Sequence, residues 1–129
     1  MPEFGERSLK NLNECHEDIQ NILNEVIKNY DCSVIEGFRG EEEQNKAYDE
    51  GKSKLKYPQS KHNQQPSLAV DVVPYPIDWD NIKQFYHFAG YVQGVADQLG
   101  IEIRWGGDWD MDKDFTDQNF HDLPHFELI

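Results

Sequence analysis

The ten residues FHDLPHFELI, Phe120 to Ile129, put two histidines and two carboxylates within seven positions, from His121 to Glu127. Imidazoles and carboxylates both bind metals and carry protons, so this stretch is either an ordinary terminal strand or the wall of a metal site. Alternate side chains of a strand share a face. His125, Glu127 and Ile129 therefore lie on one side, and Phe126 and Leu128 on the other. Phe126 and Leu128 suit a core, which leaves His125 at the opposite surface. Whether His125 does chemistry depends on partners elsewhere in the chain.

The stretch SKHNQQPSLAVDVV supplies them. Leu68, Val70 and Val72 alternate with Ala69, Asp71 and Val73, so Asp71 is a carboxylate within an apolar strand, where a charge is costly unless paired or metal-bound. A salt bridge to a core Arg or Lys would satisfy it equally well. His62 lies nine residues earlier, in a loop that can fold back beside the strand. His62, Asp71 and His125 then make a two-histidine, one-carboxylate set, which suits zinc with one position left for water. Zinc lowers the pKa of water to about 7, and a nearby carboxylate that is not a ligand can accept the proton. Asp122 is placed for that role, because Pro124 disfavours helix at Leu123 and a bend there turns Asp122 toward the metal. Ser60 either orients His62 and a substrate group or is a plain turn serine. His121 is either a proton donor or an exposed loop histidine. Glu127, on the His125 face, either supports that ligand or faces water. His16 and His87 lie in helices and are read as incidental.

These residues must be held by a small frame. The 129 residues suggest one domain, 1–129, with no separate wall-binding domain. Apolar spacing predicts a helix over 8–29, then a strand Cys32 to Glu36 and a turn at Gly37 to Gly40. A polar helix follows over Glu41 to Glu50, stopped by Gly51, and a loop over Lys52 to Pro66. The strand Leu68 to Val73 precedes a helix capped by Asp78 and stopped by Gly100. Ile101 to Trp105 and His125 to Ile129 read as strands, with an acidic loop from Gly106 to Asn119 between them. The order implies an α+β domain, helices packed on a mainly antiparallel sheet. Twelve basic against 25 acidic residues give a net charge of −13, which disfavours nucleic acid and anionic membranes as partners. MPEFGERSLK lacks the pattern of a signal peptide, and no segment approaches the roughly 18 apolar residues of a membrane span. Cys15 and Cys32 are expected to be reduced and buried, as in a protein made in the cytoplasm.

SKHNQQPSLAVD followed by DLPHFEL resembles the S-x-H…A-x-D and (D/E)-x-x-H motifs of the zinc D,D-peptidases related to VanY and VanX. The match is nearest to the phage-type L-alanyl-D-glutamate endopeptidases, or endolysins, and FGERSLKNL, VIEGFRG and IRWGGDWD extend it over nearly the whole chain. The resemblance implies a fold like that of the D,D-peptidases and the hedgehog signalling domain. It implies zinc ligands at His62, Asp71 and His125, a catalytic base at Asp122, and Arg39 holding the substrate or its developing oxyanion. Asp rather than Glu at position 122 favours the endopeptidase branch. Two departures stand out. Ser67 occupies a usual glycine position, and the His-to-Asp spacing is two residues longer, read as a longer loop over Asn63 to Pro66. The implied protein is a monomeric peptidase of the peptidoglycan stem peptide, made in a host cytoplasm and acting on the cell wall after release through a hole formed by a partner. The rivals are a D-Ala-D-Ala carboxypeptidase or dipeptidase, and a zinc-binding module without hydrolysis.

DWDMDKDFTDQ sets Asp108, Asp110, Asp112 and Asp114 at alternate positions, like the start of a calcium loop. Lys113 stands where the sharp-turn glycine belongs, and Asn119 where the bidentate Glu belongs, which excludes an EF-hand. A looser calcium site and a solvated acidic turn both fit.

Overall fold

A computed structural model describes residues 2–114 and 122–129. The chain runs α1 (Glu6–Asn13), α2 (Glu17–Val26), β1 (Cys32–Glu36), α3 (Glu41–Asp49), a 3-10 turn (Lys61–Asn63), β2 (Ala69–Pro74), α4 (Ile82–Leu99), β3 (Ile103–Trp105) and β4 (His125–Leu128). The four strands form one antiparallel sheet in the order β1-β2-β4-β3. This is the expected α+β architecture. Helices α2 and α4 pack on each other, and α4 also packs on the sheet. Val70, Val72, Phe126 and Leu128 meet Phe88 and Val92 in the core, with the Phe88 and Phe126 rings edge to face at 6.3 Å. Among the described residues no helix is long and apolar enough to cross a membrane.

The opposite face of the sheet carries the polar residues. Asp71 pairs with His125 and Ala69 with Glu127 across β2 and β4. On the other side of β2, a register shift between Val34 and Glu36 sets Glu36 opposite Asp71. Unshifted pairing would have put Ile35 there, so the irregularity exchanges an apolar side chain for a carboxylate. Glu36, Asp71 and His125 thus form one row across three strands. His125, expected at a surface, is only 6% exposed. Loops cover this face as helices cover the other, which is why all six residues of β2 are buried.

Two of the expected helices differ from the sequence reading. The helix expected over 8–29 is broken between Asn13 and Glu17. There the backbone leaves the helix to pair with Ser67, His16 N–H donating to the Ser67 carbonyl at 2.8 Å and Ser67 N–H to Glu14 at 2.9 Å. His16 lies just before a helix and not within one, and its Nδ1 accepts from Asp18 N–H at 3.0 Å and caps α2. Helix α4 starts at Ile82 with Asn81 as its cap, while Asp78 closes a preceding turn through Asp80 N–H. Gly100 ends α4 at φ 71°, as expected. Cys15 and Cys32 are free and buried, and burial pushes both thiols up to about 12.

Gly37 joins β1 to the site. A Cβ there would lie 2.3 Å from the Asn11 carbonyl oxygen, a backbone atom of α1 that cannot swing aside. Gly37→Ala is expected to destabilise the protein by about 1–3 kcal/mol, measured as a lower urea midpoint at unchanged slope.

Candidate metal centre and active site

His62 Nε2, Asp71 Oδ1 and His125 Nδ1 converge from the 3-10 turn, β2 and β4. Nε2 lies 3.2 Å from Nδ1, and Oδ1 lies 3.3 and 3.4 Å from the two nitrogens. Ligands about 2.0–2.1 Å from a tetrahedral ion are about 3.3 Å apart, so the spacing fits zinc. The far side of each ring shows which nitrogen is available. His62 Nδ1 meets the Gly37 carbonyl at 2.8 Å, and His125 Nε2 meets Glu127 Oε1 at 2.7 Å. Both partners accept, so each ring donates outward and turns a lone pair inward. Asp71 Oδ1 is buried and accepts no well-formed hydrogen bond among the described residues. Three lone-pair donors facing one another need a proton or a cation between them. The donor set fits a divalent metal ion.

Local structure explains each placement. Ser60 Oγ accepts from His62 N–H at 3.2 Å while Asn63 Oδ1 accepts from Ser60 N–H at 3.0 Å, a reciprocal cap that fixes the turn bearing His62. Ser67, at the family's glycine position, is fully buried, and its hydroxyl reaches the Gly37 and Ala69 carbonyls. Gly37 oxygen thus gathers both Ser67 and His62. Asp122 Oδ2 is 3.9 Å from His125 Nδ1, brought there by a turn in which His125 N–H donates to the Asp122 carbonyl at 3.0 Å. Gly106 holds that turn from outside, donating to His125 O and accepting from Asp122 N, each at 2.8 Å. A Cβ on Gly106 would lie 2.0 Å from the Asp122 carbonyl oxygen, so this contact needs glycine.

Charges alternate around Asp71. Burial pushes its carboxyl up, but the adjacent imidazoles outweigh that and hold it well below the usual range. Burial pulls His125 down, yet the adjacent carboxylates of Asp71 and Glu127 carry it up to about 9. Asp122 rises to about 6, through burial and the charge of Asp71, against the opposing pull of His125, His62 and Arg39. Arg39 grips Glu36 with two nitrogens, Nε at 3.0 Å and Nη2 at 2.8 Å, and gives Nη1 to Gln44 Oε1 at 3.0 Å. Its Nη2 is also 3.6 Å from Asp71 Oδ2. Arg39, Ser60, His62, Asp122 and His125 all border one cavity.

Residues 2–129 match the family model described as phage L-alanyl-D-glutamate peptidase. The chain belongs to this family. It is 28% identical over 134 residues to the L-alanyl-D-glutamate peptidase of Escherichia phage T5, covering 98% of this chain and 97% of that one. The crystal structure of the Serratia marcescens L-Ala D-Glu endopeptidase ChiX superposes with a TM-score of 0.75 at 28% identity, over 98% of this chain and 90% of that one.

Within this L-alanyl-D-glutamate peptidase family member, the predicted site residues His62, His125, Asp122, Arg39 and Ser60 border one cavity, and Asp71 contacts His62 and His125 behind its wall. His121 lies outside the described residues. In the acidic loop, Asp108, Asp110 and Asp112 offer oxygens within 4.8 Å of one another. Asp114 is not in that group; its N–H donates to Asp112 Oδ1 at 2.8 Å. Lys113 adopts φ 64°, so the left-handed turn forms without a glycine. Sequence reading missed two residues. Gln44, in a helix read as polar, is fully buried and links Arg39 to Ser53 and Leu55. Trp109 sets its ring 5.2 Å from that of His125; an indole amid an acidic run was the available signal.

At pH 7 the metal-free protein keeps His125 protonated, since its pKa lies above that pH. Metal bound at Nδ1 must displace that proton, so affinity is expected to rise with pH until about 9. Titration calorimetry with zinc, in buffers of different ionisation enthalpy, is expected to show about one proton released per ion at pH 7.

Proposed function

We propose that this chain is a zinc-dependent peptidoglycan peptidase that cleaves the L-alanyl-D-glutamate bond of the stem peptide, acting as a phage or prophage lysis enzyme. The observation that carries this reading is the convergence of His62 Nε2, Asp71 Oδ1 and His125 Nδ1 at tetrahedral spacing, with Asp122 beside them. Membership of the family supplies the substrate class. His62, Asp71 and His125 would hold zinc, which when bound would supply Lewis-acid polarisation and acidify water. Asp122 Oδ2 accepts a proton from the attacking water and returns it to the leaving amine. Burial and the charge of Asp71 raise the Asp122 carboxyl above its ordinary value in the metal-free site, which favours a group that must take up a proton. Arg39, fixed by Glu36 and Gln44, adds positive charge near the developing oxyanion. Glu127 holds the His125 ring in the ligating tautomer. The same reading makes 1–129 a monomeric catalytic domain, made in the host cytoplasm and acting on the wall after release.

A second reading concerns the acidic loop. We infer a calcium site at Asp108, Asp110 and Asp112, supported by Asp108, which is 4% exposed with an Oδ1 that lacks a hydrogen-bond partner among the described residues. Calorimetry of the zinc-loaded protein with calcium is expected to show binding that Asp110→Asn with Asp112→Asn removes. No heat and no change in activity across millimolar calcium would leave a solvated turn.

Three variants test the main reading. His62→Ala and His125→Ala are expected to lose both zinc, by elemental analysis, and hydrolysis. Asp122→Asn is expected to retain zinc and lose at least about 10²-fold in kcat, because an amide cannot take the proton. Near wild-type turnover in that variant would move the base elsewhere. Mass spectrometry of digested peptidoglycan reports the bond: new N-terminal D-glutamate supports the endopeptidase, and released D-alanine supports the carboxypeptidase.

A further inference from the structure

In a chain of net charge −13, residues 51–70 contain no acidic side chain and four lysines, Lys52, Lys54, Lys56 and Lys61. This stretch forms one wall of the cavity that holds His62, His125 and Asp122. None of the four is without a partner, so position and the kind of partner distinguish them. Lys61 Nζ donates to the Leu128 carbonyl and pairs with Glu127 at 3.4 Å. Lys56 Nζ lies 4.9 Å from the Tyr48 ring centroid. Lys52, Lys54 and Lys61 all border the cavity, but Lys61 is held there against the Leu128 carbonyl and Glu127. Lys52 pairs with Glu50, but the side chains are 75% and 42% exposed, so the pair is weak and exchangeable. The backbone beneath them is fixed. Gln44 Nε2 donates to Ser53 Oγ at 2.9 Å and to the Leu55 carbonyl at 2.6 Å, while its Oε1 accepts from Arg39. The lysine wall is therefore tied to the residue that touches Asp71.

The substrate read above has a matching charge. A D-glutamyl residue has two carboxyl groups and passes only one into the onward peptide bond. The other remains free beside the scissile nitrogen, on the leaving side. Arg39 is poorly available to bind it, since Glu36 takes its Nε and Nη2 and Gln44 takes its Nη1. We propose that Lys52 and Lys54 form the subsite that recognises this free carboxylate, and so set specificity for D-glutamate on the leaving side. The proposal rests on the peptidase reading. Charge-assisted hydrogen bonds of ammonium to carboxylate discriminate against the uncharged amide.

The experiment uses the zinc-loaded full chain and two synthetic stem peptides, one with the D-glutamyl carboxylate free and one with it amidated. Wild type is expected to favour the free acid by about tenfold or more in kcat/KM. In the Lys52→Gln, Lys54→Gln double variant that ratio is expected to fall to about one, and Lys52→Arg with Lys54→Arg to restore it. Zinc content and unfolding midpoint, measured alongside, identify a folding defect; in that case the single variants Lys52→Gln and Lys54→Gln carry the comparison, each expected to lower the ratio. A wild type that cuts both peptides equally overturns the subsite alone, as does a variant that keeps the preference or loses both activities in proportion. A wild type that cuts neither peptide, nor peptidoglycan, overturns the peptidase reading with it.

Discussion

The carboxylate of Asp71 sits in the middle of a sheet, where a lone charge would not be tolerated. Much of the surrounding structure compensates it. The two imidazoles face one oxygen and Arg39 approaches the other. Each of those cationic or proton-bearing groups then needs its own partner. Glu36 holds Arg39, and Glu127 holds His125 while facing Lys61 and Arg104 in turn. The result is an alternation of sign across the sheet face, ending at solvent. Buried ionic networks contribute little net stability against a hydrophobic replacement. Their retention here is better explained by the ligand geometry that they impose.

Strand pairing and a few close backbone contacts set that geometry. Asp71 and His125 are cross-strand neighbours, so their relative position is fixed by the ladder and not by a flexible loop. The third donor comes from a loop, and it is held by a reciprocal Ser60–Asn63 cap, by the Gly37 carbonyl, and by Arg39 N–H on the His62 carbonyl at 2.8 Å. Gly37 and Gly106 do the same job on opposite sides. Each removes a Cβ so that two backbone segments can touch, one anchoring His62 and the other Asp122.

The strand-borne part of the site was legible in the sequence because alternation is a local property. Asp71 interrupts an apolar strand, and His125 is opposite in phase to Phe126; both facts need only neighbouring residues. The loop-borne and supporting parts depend on contacts between distant segments. Nothing near Gln44 marks it as buried, since its partners Arg39, Ser53 and Leu55 belong to other elements. The helix break at Glu14 to His16 comes from Ser67, more than fifty residues away. His125 was placed at a surface because the second face of a sheet is usually solvated. Here the loop bearing His62, together with Trp109, roofs it.

The segregation of charge along the chain also decides what an approaching polymer senses. At physiological ionic strength electrostatic influence fades over about 8 Å. On the proposed reading, a carboxylate that enters the cavity meets Lys52 and Lys54 in a wall that also carries Asp122 and Glu127. The net charge of −13 repels an anionic mesh at long range, and the proposed lysine pair would offer it a local hold. Such a molecule resists sticking indiscriminately to anionic material, and it gains hold only where a free acid reaches the cleft.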